Sequence, residues 1–141
     1  MLKVKVKAKK VWKPYEIAMM NSALQWAAEE LEIFYSPVPI TVKLKGYSGG
    51  DFGYCVDLDD RICITVCKHE NYLKTLFHEL EHARQYLDDE LELEHETAVW
   101  KGKFYKRKAK GYYREPWEIK ARKIERKLFK RFTKSLLTLN D

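Results

Sequence analysis

The chain has 141 residues, 45% of them hydrophobic and 13% aromatic, with a formal net charge of +6. That length suits one ordinary domain with a buried core, and that composition excludes a disordered polymer. No apolar run approaches the roughly 20 residues that a membrane-spanning helix needs. Residues 1–7 alternate rather than forming an apolar signal core, so a cytoplasmic protein with no membrane attachment is expected.

In chain order, Leu2 to Lys7 alternates apolar residues with Lys, the pattern of a half-exposed or edge strand. Pro14 suits the first turn of a helix, and Ile17, Met20, Leu24, Ala27, Ala28 and Leu31 keep helical spacing to about Ile33. Ser36-Pro37-Val38-Pro39 ends that helix, and Ile40 to Leu44 alternates again as a strand. Gly46 to Gly53 holds four of the six glycines and is expected to be a mobile loop. Tyr54 to Leu58 and Arg61 to Cys67 flank Asp59-Asp60 as a hairpin. Asn71 stands where it would cap a helix from about Tyr72 to Asp88. Glu92 to Tyr105 shows no clear period, apart from a short strand at Thr97–Trp100. Pro116 opens a long amphipathic helix to about Leu137, with Trp117, Ala121, Ile124, Leu128, Phe132 and Leu136 as its stripe. With no repeat and no linker, residues 1–141 read as a single α+β domain, a small mixed or antiparallel sheet packed with three main helices.

Charge is unevenly spread. Lys101 to Lys134 carries fifteen Lys or Arg and three acids, whereas Glu79 to Glu96 carries eight acids and one Arg. The basic final helix is a candidate nucleic-acid contact through Lys120, Arg122, Lys123, Arg126, Lys127, Lys130 and Arg131. The plain alternative is a solvated helix face. Cys55, Cys63 and Cys67 cannot all pair within one chain and read as free thiols. A structural zinc set of Cys63, Cys67 and His69 lies mostly within one strand and lacks a fourth ligand.

The chemically specific run is His78-Glu79-Leu80-Glu81-His82, an H-E-x-x-H pattern inside the second helix. Positions i and i+4 of a helix share a face, so both imidazoles can bind one metal ion, with Glu79 beside them as general base. Catalytic zinc usually takes three protein ligands and one water. Glu118, in the first turn of the last helix, is one candidate for the third ligand and His95 is the runner-up. Periodicity alone reads Glu118 equally well as a plain first-turn acid.

His78 to Gln85, then Trp100-Lys101-Gly102-Lys103, then Pro116-Trp117-Glu118-Ile119-Lys120-Ala121-Arg122, resembles the small phage-type and SprT-like metallopeptidases. Those are single-domain zincins with H-E-x-x-H on one helix and Pro-Trp-Glu opening the next. The resemblance covers about residues 50 to 125 and implies a zincin-like fold, one Zn2+ per chain and Glu118 as third ligand. Lys120 stands where such segments often carry an acid, and the His-Gly ligand signature of the DNA-repair relatives is missing.

The expected activity is a zinc-dependent endopeptidase acting on a protein or peptide. Glu79 would take the proton of a water acidified by the metal and pass it to the leaving amine. Tyr112, Tyr113 and Arg114 are candidate oxyanion donors by their closeness to Glu118. An extended substrate is expected along the strand edge within residues 54 to 67. The competing reading is a nucleic-acid- or protein-binding module of the same fold with little or no turnover. Oligomeric state stays open.

Overall fold

Alternation in the N-terminal segment builds strand β1 (Leu2–Val6), with Leu2, Val4 and Val6 turned to the core and Lys3 and Lys5 turned outward. Helix α1 (Pro14–Glu30) crosses over to strand β2 (Ile40–Lys45), which pairs parallel with β1 in the register Val4 to Val42. Strands β3 (Gly53–Asp57) and β4 (Ile62–Cys67) form the expected hairpin, and β4 pairs parallel with β2. The sheet order is β1-β2-β4-β3, which leaves β3 as an edge. The computed structural model describes residues 2–47, 49–107 and 114–139.

Helix α2 (Tyr72–Leu87) lies on the inner face of this sheet. A second, antiparallel sheet follows, made of β5 (Leu91–Leu93), β6 (Thr97–Trp100) and β7 (Lys103–Lys106) in that order. Helix α3 (Pro116–Leu139) closes the described chain. The class is α+β with three helices, as the sequence implies. The described helices include none long and apolar enough to cross a membrane.

Two apolar clusters hold these layers. In the larger, Val42, Leu44, Ile64 and Val66 of the sheet meet Met20 and Leu24 of α1, Phe77 and Leu80 of α2, and Leu128 and Phe132 of α3. The smaller joins Leu91, Ala98 and Trp100 to Trp117, so the start of α3 is anchored to the second sheet. Full burial of one such large side chain stabilises the fold by roughly 1.5–3 kcal/mol. α2 touches both clusters, and none of its residues from Tyr72 to Leu87 is exposed.

Some boundaries differ from the sequence reading. α1 stops at Glu30 rather than near Ile33, because Glu32 turns into the left-handed region with φ 59°. The Ile33 amide then donates to Ala28 O at 2.8 Å, and the Ile33 side chain enters the core. Asn71 precedes α2 without a side-chain cap, and its own amide donates to His69 Nδ1 at 3.2 Å. Cys55, Cys63 and Cys67 are free thiols.

Candidate metal centre

α2 presents His78 and His82 one turn apart because Leu76, Leu80 and Ala83 commit its other side to the core. Pro116 starts α3, Trp117 plugs into the second sheet's cluster, and Glu118 follows directly, facing α2. Gln85 ties the two helices together, its Nε2 donating to Trp117 O at 3.1 Å. α3 runs antiparallel to α2, since Trp117 meets Gln85, Glu118 meets His82 and His78, and Glu125 meets His78.

His78 Nε2 lies 2.9 Å from Glu118 Oε1, and His82 Nε2 lies 3.2 Å from the same oxygen and 3.1 Å from Oε2. One ligand atom from each of the three residues falls within 4.8 Å of the others. Zinc bonds of about 2.0–2.1 Å in tetrahedral array need donors roughly 3.3 Å apart, so this spacing fits a small divalent ion. His82 is 6% exposed and Glu118 4%, so water screens the cluster little.

The outer nitrogens of the imidazoles strengthen the fit. His82 Nδ1 is 2.9 Å from Gln85 Oε1. Because Trp117 O can only accept, the Gln85 amide nitrogen must face it, which leaves Oε1 to accept from His82 Nδ1–H. His78 Nδ1 is 2.8 Å from Glu125 Oε1, a carboxylate that accepts in the same way. Both rings therefore hold a proton on Nδ1, the arrangement that turns Nε2 toward a metal.

Without an ion the cluster holds protons instead. Burial alone would lower the His78 pKa, but hydrogen bonds to Glu118 and Glu125 and nearby Glu79 hold it up, at about 10. Burial alone would raise the Glu118 carboxyl, but bonds from His78 and His82 hold it well below the usual carboxylate range. Glu79 goes the other way: burial, countered by His82 and His78, pushes its pKa up to about 7.

The Glu79 carboxylate makes no hydrogen bond among the described residues and lines two adjoining cavities of about 210 and 120 Å³. Asp51 and Gly53 line both as well, so the edge strand β3 forms one wall. The smaller cavity also reaches Tyr86, Leu93 and Arg107, which brings in α2's next turn and the second sheet. Gly53 is required where β3 meets α2. A Cβ there would lie 2.5 Å from Thr75 Cγ2 and 2.7 Å from Thr65 O.

Of the residues singled out in the sequence, His78, Glu79, His82 and Glu118 come together. His95 does not: it is exposed in the β5–β6 turn and belongs to no ligand cluster among the described residues. Arg114 is exposed and lines neither cavity. Tyr112 and Tyr113 lie outside the described residues. Cys63 and Cys67 sit on β4 and form no ligand cluster with His69, whose ring stacks on Phe52 at 4.0 Å.

On α3, Lys123, Arg126, Lys127, Lys130 and Arg131 are exposed, whereas Lys120 and Arg122 are half-buried. Arg131 pairs with Glu30 at 3.0 Å, and Lys120 and Lys127 line a separate cavity with Arg84. Sequence reasoning missed Gln85, Glu125, Tyr86 and Arg107. The three-residue step from His82 to Gln85 was the one readable sign, since it places the amide on the ligand face.

No protein-family model matches the chain, and no curated protein or solved structure is similar to it at a significant level.

Proposed function

We propose that the protein is a zinc-dependent endopeptidase of the zincin type, with His78, His82 and Glu118 holding the ion and Glu79 acting as general base. The observation that carries this reading is the convergence of three donors beside a carboxylate that is free of hydrogen bonds and faces a cavity. The H-E-x-x-H run and the Pro-Trp-Glu segment, which resemble those of SprT-like peptidases, support it from the sequence. When bound, zinc would supply Lewis acidity toward a water and a carbonyl oxygen.

The chain's own residues do the rest. Gln85 and Glu125 hold the imidazoles in the ligating tautomer. Glu79, buried beside the ligands and facing the cavity, takes a proton from water and delivers it to the leaving nitrogen. The free edge of β3 lets an extended peptide add as a further strand beside Glu79. Tyr86 and Arg107, which line the smaller cavity together with Glu79 and Glu118, are candidate donors to a developing oxyanion.

Zinc analysis of the wild type and Glu79→Gln, with cleavage of an unfolded protein as the assay, tests the proposal. We expect one zinc per chain in both and a loss of turnover of about 10²–10⁴-fold in the variant. Full cleavage by Glu79→Gln would refute the role of Glu79. A second reading, a binding module without turnover, draws on the exposed cations Lys123, Arg126 and Lys130 of α3. It predicts bound zinc and no cleavage of any unfolded substrate.

A further inference from the structure

We propose that the open face of the four-stranded sheet binds single-stranded nucleic acid, with phosphates over β1 and β2 and bases over β4 and β3. This goes beyond the peptidase reading and does not depend on it. All three helices pack on the inner face, through Val42, Leu44, Ile64 and Val66. The outer face is left to Lys3, Lys5, Thr41, Lys43, Lys45, Cys63, Tyr54 and Val56, with Thr65 buried at 3% between Lys43 and Tyr54, and Lys7 continues the alternation past β1. No outward position on these strands carries an acid.

The registers arrange the outward residues in ordered rows. One row reads Lys5, Lys43, Thr65, Tyr54 across the sheet, and the next reads Lys3, Thr41, Cys63, Val56. Cations thus occupy one side, the half-buried Thr41 and Cys63 the middle, and an exposed ring, Tyr54 at 46%, the other side. Neighbouring strands lie about 4.8 Å apart and alternate residues about 6.7 Å apart, so the lysines form a band and not an isolated charge.

Lys5 and Lys43 are cross-strand neighbours, and like charges so placed oppose folding. Among the described residues neither they nor Lys3 and Lys45 pair with a carboxylate. Edge protection would account for lysines on β1, but β2 is an interior strand. A polyanion relieves that repulsion.

Shape selects among polyanions. A duplex groove admits a helix or a two-stranded ribbon, not a flat four-stranded face. Unstacked bases, by contrast, lie on an exposed aromatic ring while a basic strip tracks the backbone. A membrane surface would favour apolar side chains that insert, whereas the accessible centre here is Thr41 and Cys63.

Fluorescence anisotropy of the full chain with a labelled oligo-dT, titrated against salt, tests this. We expect binding at low salt that weakens as salt rises. Lys3→Gln/Lys5→Gln/Lys43→Gln should weaken it at least tenfold and reduce the log–log salt slope by about 2, at roughly 0.7 per lost phosphate contact. Tyr54→Ala should weaken binding severalfold and leave the slope unchanged. Lys123→Gln/Arg126→Gln/Lys130→Gln on α3 should bind as the wild type does. Circular dichroism confirms that each variant is folded, and all the substituted side chains reach solvent. The proposal is overturned by absent binding at low salt, by loss in the α3 variant alone, by equal affinity for duplex, or by equal competition from polyglutamate.

Discussion

The tautomer of His82 is set from another helix: Trp117 O orients the Gln85 amide, and that amide orients the ring. Glu125 does the same for His78 with a charged acceptor. Glu125→Ala and Gln85→Leu should therefore each lower zinc affinity by about 10–100-fold, read by competition with a chromophoric chelator. Protonation gives a second residue-scale prediction. In metal-free protein His78 is held above its ordinary 6.5, at about 10, so its contribution is complete below 6.5 and lost as pH rises through 10. Glu118 is depressed below its ordinary 4.5, so its contribution is present above 4.5 and lost as pH falls. Urea unfolding of the chelator-treated protein should show greatest stability between these ordinary values, with a decline toward alkaline pH. Added zinc should flatten the alkaline side, because the metal replaces the Nε2 protons.

At the scale of elements, the site depends on how closely β3 approaches α2. Gly53→Ala should destabilise the fold by about 1–3 kcal/mol, measured by denaturant unfolding, and should lower turnover by shifting Glu79. The helices and the β3–β4 hairpin were readable in the sequence because their apolar residues keep a period of 3.6 or 2. β5 and β7 were not. They have three and four residues, and β7 is mostly exposed, so their existence rests on pairing with β6 and not on pattern. Glu118 was legible from its place after Pro116 and Trp117. Glu125 was not, although it lies two turns further on the same face, because nothing local says that α3 runs antiparallel to α2. His95 looked like a ligand by residue type, and the β5–β6 turn takes it into solvent.

Across the whole molecule, the cavity sits where two sheets and two helices meet, so zinc would link parts of the chain far apart in sequence. Glu118 is 40 residues from His78 and 36 from His82. No such site survives in the unfolded chain, so zinc at a hundred times its dissociation constant should add about 2.7 kcal/mol. That should raise the melting temperature by roughly 10 °C, measured calorimetrically with and without chelator. Helix α2 lies at the centre of this arrangement, and none of its 16 residues is exposed. Many of its polar side chains are instead tied to neighbours. Glu81 is held by Arg84, which also reaches Asp88 and Glu90, and Gln85 is shared by a ligand and a backbone oxygen. The outer face of α3 can be rewritten one residue at a time. α2 has no such neutral ground, and nearly every change in it must be matched by a change in a neighbour.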